Sequence, residues 1–260
     1  MGEGRRMRSV AVLMVCHNRR DVTLECLSGL FAAIHSLEAI EVAVYLVDDG
    51  SSDGTSQAVK TKFPSVHVID SDGTLYWAKG MRTAWEATVA EQDDWDGYLW
   101  LNDDTELYED AVARILATDN GDKIVVGELE NARADIVYGM RADGLFTGNC
   151  VYVPRKVYES LGMICGDYSH AWADSDYALR AKRARISVVS AGVVGRAEGH
   201  PNRPSLKGLS LCERIKSLRN PKGWNLHDLW LYRRRNWGYC AAIASCAHLI
   251  CHVVAGERRI

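Results

Sequence analysis

The sequence predicts an α/β protein with a mostly parallel β-sheet and helices on both faces. Two observations lead to this fold class. In the first half of the chain, short apolar runs alternate with stretches of helical periodicity. The first run, residues 10–16, is continuously apolar, as expected for a parallel strand that is covered on both faces. A repeated strand–helix–strand order is typical of parallel sheets with crossover helices.

The elements of the first half follow from this pattern in order. Residue 21 opens a helix that extends to about residue 36, because the apolar side chains fall mostly on one stripe. The next predicted strand, residues 41–47, leads directly into an acidic turn. The further predicted elements are helix 55–62, strand 66–69, helix 78–91 and strand 98–101.

The second half of the chain is less regular. Pro154 suits the first position of a helix over residues 154–161, and a further helix is predicted at 174–185. Strands are predicted at 123–126, 149–153 and 186–189. The chain is basic from Arg203 to Arg235, and residues 236–256 carry no formal charge when histidine is neutral.

Composition excludes several classes of protein. The 260 residues are 47% apolar and 25% charged, which is typical of a globular protein, and the net charge of −3 argues against a nucleic-acid binder. The eight cysteines form no C-x-x-C pair, so neither a zinc ribbon nor a thioredoxin motif is expected. The first apolar run is too short for an export signal. We therefore expect reduced thiols in a cytoplasmic protein.

Acidic clusters follow two of the predicted strands. Asp48 and Asp49 follow the second strand, and Asp103 and Asp104 follow strand 98–101. Ligands of open α/β sheets bind at the carboxyl ends of the strands. Because gathered carboxylates repel one another, a divalent metal or another cation is expected between them. A calcium loop that starts at Asp49 is rejected, since its twelfth position is Lys60 instead of glutamate.

Five landmarks occur in order between residues 10 and 200. They are Cys16-His17-Asn18-Arg19, Asp48-Asp49-Gly50-Ser51, Asn102-Asp103-Asp104-Thr105, Gly148-Asn149-Cys150, and Trp172-Ala173-Asp174-Ser175-Asp176 followed by Leu179-Arg180. With them the chain resembles the inverting glycosyltransferases of family 2, which have the Rossmann-like GT-A fold of nucleotide-diphospho-sugar transferases. Residues 75–82 and the Asn-Asp-Asp-Thr segment are most similar to rhamnosyltransferase-type members.

The resemblance implies a domain organisation. Residues 1–203 would form the GT-A catalytic domain, with a nucleotide-binding part at about 8–105 and an acceptor part at about 106–203. Residues 204–260 would form a basic segment and a C-terminal apolar helix.

The resemblance also implies a donor site and a metal site. Donor contacts would come from His17, Asn18, Asp48, Asp49, Lys79, Arg82 and Asp103. Asp104 and His200 would hold Mn²⁺ or Mg²⁺ beside the donor diphosphate, with His170 as a weaker competitor for His200. Asn102 stands where the family has its first metal-motif aspartate. The acidic pair at 48–49 also fits a plain strand-to-helix turn, and Lys79 and Arg82 also fit a solvated helix face.

The catalytic base implied by the resemblance is Asp174. It would take the proton from the acceptor hydroxyl as that oxygen displaces the diphosphate and inverts the anomeric carbon. Ala173 replaces the family glutamate beside it. Acceptor contacts are expected from Trp172, Asp176, Gly148 and Asn149. Asp174 also fits a plain N-terminal helix charge.

The charge-free C-terminal stretch is long enough to suggest a membrane span. Ser245, His248 and His252 form a polar stripe on one helical face, which favours an interfacial or oligomerisation helix instead. Peripheral contact with the inner face of the plasma membrane, homo-oligomerisation and packing on the catalytic domain remain open.

The expected function is metal-dependent inverting transfer of a sugar to a hydroxyl of a glycan or lipid-linked glycan. The donor would be dTDP-rhamnose or a UDP-sugar. The alternatives are a nucleotidyltransferase and a catalytically silent nucleotide- or glycan-binding module; Asn102 and Ala173 keep the second of these open. Neither a dinucleotide-binding fingerprint nor a P-loop is present.

Overall fold

The structure is a computed structural model that describes residues 7–35, 37–131, 137–198 and 205–256. The strands are β1 (Arg8–Cys16), β2 (Ile40–Asp48), β3 (Val66–Asp70), β4 (Gly97–Leu101), β5 (Thr105–Leu107), β6 (Ile124–Asn131), β7 (Val137–Tyr138), β8 (Cys150–Pro154) and β9 (Val188–Ala197). The helices are α1 (Arg20–His35), α2 (Thr55–Lys62), α3 (Tyr76–Glu91), α4 (Ala111–Thr118), α5 (Arg155–Leu161), α6 (Ala173–Arg183), α7 (Leu211–Ser217), α8 (Leu226–Trp237) and α9 (Tyr239–Ala255).

In the described part of the chain, one nine-stranded sheet organises the fold. Its order is β3-β2-β1-β4-β8-β6-β9-β5, and β7 pairs with β6. Strands β1 to β4 are parallel, and so are β6 and β9. Strand β8 runs antiparallel to both of its neighbours. The predicted α/β fold class with a mostly parallel sheet is confirmed.

The apolar core lies on both faces of the sheet. Alternate residues of β1 belong to different core clusters: Ala11 and Leu13 pack with α3 and α6 residues, whereas Val10 and Val12 pack with α1 and α4 residues. Because both faces of β1 are covered, the strand does not alternate between apolar and polar residues as a half-exposed strand would. This explains the continuous apolar run in the sequence.

The C-terminal stretch differs from a single long helix. Gly238 has a φ of 86° and separates α8 from α9, so the charge-free stretch is divided near its start. Helix α9 packs on α8 and α7 through Leu249 and Val253. Across the described residues, none of the helices has the length and apolar character needed to cross a membrane.

Candidate functional site

Three strands bring the predicted site residues to one edge of the sheet. Strand β1 lies between β2 and β4, and Cys16 is in register with Asp48. The loop after β1 therefore lies beside the acidic turn after β2, with the acidic segment after β4 on its other side. The sequence predicted this gathering from the carboxyl-edge rule alone.

Hydrogen bonds join the loop after β1 to the loop after β2. His17 Nδ1–H donates to the carbonyl of Asp49 at 2.6 Å, and the Asn18 side-chain amide donates to His17 Nε2 at 3.0 Å. These two bonds require the neutral imidazole with its proton on Nδ1. Asn18 Oδ1 in turn accepts from the Ser52 backbone at 2.7 Å. His17 and Asn18 are exposed, so these hydrogen-bonded side chains form a wall at the carboxyl edge of the sheet.

The two adjacent aspartates of the second loop have different surroundings. Asp49 accepts from the backbone N–H groups of Leu75 at 3.0 Å and Tyr76 at 2.7 Å, and thereby holds the start of α3. Asp48 accepts from the Ser51 backbone at 2.8 Å through one oxygen. Its other oxygen is buried, and no donor among the described residues reaches it. Asp48 is therefore the member of the pair whose carboxylate can still accept a hydrogen bond from a ligand.

Gly50 allows this loop to approach the chain that precedes α3. Its φ is +71°, and a Cβ there would lie 2.6 Å from the backbone nitrogen of Gly73. A side chain at this position would push the two segments apart.

A cluster of one cation and two carboxylates lies at the end of β4. Arg19 Nη1 is 2.9 Å from Asp103 Oδ1, and its Nη2 is 3.2 Å from Asp104 Oδ2. Burial raises the pKa of Asp103 to about 7, although the Arg19 charge opposes the rise. Asp104 keeps its second oxygen buried and without a partner among the described residues. The sequence alone indicates no role for Arg19 beyond its place in a landmark, because its two partners lie 84 and 85 residues away along the chain.

The raised pKa of Asp103 leads to a testable prediction about stability. The folded protein keeps a proton on Asp103 up to about pH 7, whereas an unperturbed Asp releases it near 3.8. The free energy of unfolding therefore falls as the pH rises through this window. Asp103→Asn removes this dependence. The free energy of unfolding of the variant, relative to that of wild type, should therefore be roughly 2 kcal/mol higher at about pH 8 than at about pH 5. Urea unfolding of both proteins at both pH values measures it; a difference that is the same at both pH values would show that folded Asp103 does not titrate in this range.

Asn102 stands where the resemblance would place the first aspartate of a metal motif, and its side chain has a structural contact instead. Its Oδ1 accepts from the Trp77 indole N–H at 2.9 Å, so this side chain ties β4 to α3. No group of three or more His, Cys, Asp or Glu residues suited to a metal occurs among the described residues. His200 lies outside the described residues. The unpartnered buried oxygen of Asp104 fits one metal ligand, and donor phosphate oxygens suit the remaining positions.

Asp174 lies in the first turn of α6. Its carboxylate accepts from the backbone N–H groups of Ser175 at 2.6 Å and Gly148 at 3.2 Å. Burial raises the pKa of Asp174, and these two bonds and the Arg141 charge oppose the rise. A Cβ on Gly148 would lie 2.5 Å from the Trp77 ring and 3.3 Å from Asp174 Cβ. Trp77 therefore contacts Asn102 on one side and lies against Gly148, which adjoins Asp174, on the other.

The residues around the start of α6 contact the C-terminal helices. Trp172, with a φ of 74°, stacks on Tyr232 of α8 with ring centroids 4.6 Å apart. Asp176 is buried and accepts from Tyr168 at 3.1 Å and from Asn236 of α8 at 3.0 Å. Both bonds end on Oδ1, whereas Oδ2 is buried without a hydrogen-bond partner among the described residues and lies 3.5 Å from Arg180 Nε. Tyr232 and Asn236 are site neighbours that the sequence reasoning assigned to a separate tail.

The remaining predicted residues lie around these groups. Lys79 is exposed in the first turn of α3. Arg82 pairs with Glu86 at 2.7 Å and points toward the carbonyl of Ile164, which is 3.4 Å away. Asn149 contributes its carbonyl, which accepts from the Asn102 backbone at 2.9 Å.

Comparisons with known proteins bear on the family and the fold of the chain. A sequence profile described as Glycosyl transferase family 2 matches residues 11–171, more than half of the chain. A search of curated protein sequences finds no match.

Solved structures provide the second comparison. The chain is similar to the mannosyltransferase PcManGT from Pyrobaculum calidifontis in complex with GDP-Man and Mn²⁺, with 18% identity, 98% of this chain and 77% of that chain covered, and a TM-score of 0.57. It is also similar to S. aureus TarS 1-349 in complex with UDP-GlcNAc, with 14% identity, 94% and 82% coverage, and a TM-score of 0.57. At these identities the likeness concerns the fold.

Proposed function

Since the chain belongs to glycosyl transferase family 2, we propose that it moves a sugar from a nucleoside-diphosphate donor to a hydroxyl of a glycan or lipid-linked glycan, with inversion at the anomeric carbon. One observation carries the proposal. An unpartnered carboxylate oxygen of Asp104 and the base candidate Asp174 lie on segments that Trp77 joins, through Asn102 and Gly148. A leaving diphosphate and an attacking hydroxyl need such groups on neighbouring segments.

The donor nucleoside would lie against the wall formed by His17 and Asn18. The unpartnered buried oxygen of Asp48 can accept a hydrogen bond from a pyrimidine N–H or a ribose hydroxyl. Asp49 would act indirectly, because its carboxylate holds the start of α3. Lys79 is an exposed cation in the first turn of that helix and remains a proposed phosphate contact, as does Arg82.

Mn²⁺ or Mg²⁺ would neutralise the charge that gathers on the departing diphosphate. Asp104 would hold the cation, and His200 remains a proposed second ligand. Arg19 orients Asp104 through its other oxygen and places a further positive charge at this edge. The Mn²⁺ in the PcManGT complex supports metal use, and GDP-Man and UDP-GlcNAc in the neighbours support a nucleotide-sugar donor. For this chain we propose dTDP-rhamnose or a UDP-sugar.

Asp174 would act as the general base. As the acceptor oxygen forms its bond to the anomeric carbon, its proton passes to the Asp174 carboxylate, and the bond from carbon to diphosphate oxygen breaks. The raised pKa of Asp174 makes the carboxylate a stronger base than a solvated aspartate. Trp172, Asp176, Gly148 and Asn149 remain the proposed acceptor contacts, and Gly148 donates its backbone N–H to the Asp174 carboxylate at 3.2 Å. All eight cysteines are unpaired, which supports our proposal that the reaction takes place in the cytoplasm.

Thermal unfolding with nucleotides tests this proposal. Unfolding temperatures would be measured with UDP, dTDP, GDP, CMP and ADP, each with and without Mn²⁺. A ligand at 100 times its Kd adds about 2.7 kcal/mol, which raises Tm by about 5 °C or more in a chain of this size. We expect a rise with one pyrimidine diphosphate that depends on Mn²⁺. The absence of any shift would contradict the donor site and favour a silent glycan-binding module.

A further inference from the structure

The outer face of α9 is apolar and exposed. Its four largest exposed apolar side chains are Tyr239, Ile243, Ile250 and Val254, with 63%, 59%, 39% and 44% of their surface accessible. Their spacings of four, seven and four residues place them on one side of the helix. Apart from His248, every exposed side chain of α9 is Tyr, Ile, Val, Ala or Cys.

Helix α7 extends this face. Leu211 and Ile215 lie four residues apart and are 49% and 48% exposed. Arg214, between them, donates to the carbonyl of Val254 at 2.8 Å, so α7 lies beside the C-terminal end of α9. The six residues Leu211, Ile215, Tyr239, Ile243, Ile250 and Val254 are called the outer apolar face below. Exposed apolar groups collected on two adjoining helices are typical of a docking surface.

Arg214 and Arg234 border the outer apolar face and belong to a basic segment of the chain. Residues 205–235 contain eight Lys or Arg against two acidic residues, Glu213 and Asp228. Within this segment Asp228 is fully buried and Glu213 is exposed, and Arg235 pairs with Asp167 outside it at 3.3 Å, so most of the segment's cations have no acidic neighbour in the segment. The guanidinium of Arg234 lies 5.8 Å from the ring centre of Tyr239, at the start of α9. Aromatic rings and cations beside an apolar helix face are characteristic of segments that lie in a membrane interface.

We propose that the outer apolar face docks on an anionic lipid surface. The charge pattern decides between a bilayer and a second copy of this chain. Two copies that met through this face would bring their bordering cations together, whereas anionic head groups would neutralise them. The apolar side chains would enter the head-group region while the surrounding Lys and Arg contact lipid phosphates.

This surface is connected to the proposed catalytic residues. Helix α8 precedes α9 directly, and its Tyr232 and Asn236 contact Trp172 and Asp176 at the start of α6. Asp174 lies between Trp172 and Asp176 in the sequence. Docking would therefore hold Asp174 at a constant height above the lipid. This consequence rests on the proposed function and favours a lipid-linked acceptor, whereas docking itself does not depend on any activity.

Vesicle flotation of the full chain tests the docking. The two probes are vesicles of phosphatidylcholine alone and vesicles of equal parts phosphatidylcholine and phosphatidylglycerol, at low and high salt. We expect flotation with the anionic vesicles at low salt, with weaker binding at high salt or on neutral vesicles. Ile243→Glu with Ile250→Glu, and separately Lys216→Glu with Arg219→Glu, should each lower partitioning more than about tenfold. Met7→Glu, which changes an exposed apolar residue elsewhere, is the matched control.

Three results would overturn the proposal. The first is a wild-type protein that does not float with anionic vesicles, and the second is flotation that neither pair of substitutions reduces. The third is a stable dimer in sedimentation velocity that Ile243→Glu dissociates, which would assign the face to a second copy. Nucleotide-induced thermal shifts of the same variants keep this test separate from the donor site, because a protein can bind UDP without docking on lipid.

Discussion

Asp174→Asn is expected to lower kcat by about 10²–10⁴-fold, the usual contribution of a general base. Asparagine keeps the shape of the side chain and can still accept from the Gly148 or Ser175 backbone, but it cannot take the proton of the acceptor hydroxyl. Nucleotide binding should be unchanged, because the donor contacts lie on other segments. Turnover of the donor with an acceptor glycan, measured beside nucleotide affinity, separates the two effects.

The pH dependence of the wild type checks the same assignment. The base must be ionised, and burial raises the pKa of Asp174, so kcat/KM should rise with pH and level off above a midpoint higher than the usual value of about 3.9. Asp122→Asn, an exposed residue in the turn before β6, is the matched control and should leave turnover unchanged. Near-normal turnover of Asp174→Asn would assign the base to another residue.

Asp104→Ala should remove the Mn²⁺-dependent part of nucleotide binding. Asp104 is the proposed metal ligand because one of its carboxylate oxygens is buried without a hydrogen-bond partner among the described residues, and its loss should weaken metal-supported affinity at least about tenfold. Titration calorimetry with UDP and dTDP, with and without Mn²⁺, measures the difference. Affinity without metal should change little.

The control for this substitution is Asp110→Ala. Asp110 is 63% exposed and lies 3.8 Å from Arg114, away from the loops after β1 and β2. It should keep full Mn²⁺ dependence. If Asp104→Ala also keeps it, the metal is held by other residues and the role of Asp104 is limited to its ion pair with Arg19.

The sequence predicted the first half of the fold well for a physical reason. A parallel strand covered on both faces must be apolar throughout, and its helices must carry one apolar stripe, so each element is visible in the local pattern. Helix α2 has the predicted bounds, and α3 begins two residues earlier than predicted. The three-residue strand β5 was missed because it exists only through pairing with the distant β9.

The position of the candidate site follows from sheet topology and could be predicted. The contacts between side chains that are far apart in the sequence could not. The carboxyl-edge rule placed Asp48 and Asp104 together without any knowledge of contacts. Neither the hydrogen bond from Trp77 to Asn102 nor the one from Asn236 to Asp176 leaves a periodic trace, because the partners are 25 and 60 residues apart. Such pairings follow from the packed fold and cannot be found from spacing.

The bonded loops at His17 and Asn18 have a kinetic consequence. Because both side chains are already held by the neighbouring loop, a donor that binds there as proposed would meet a preorganised surface, and little entropy of these side chains would be lost on binding. Association would then not require His17 or Asn18 to be ordered first, so we expect fast capture of the donor at this wall. The slow step of a catalytic cycle would move to a later stage, such as departure of the spent nucleotide.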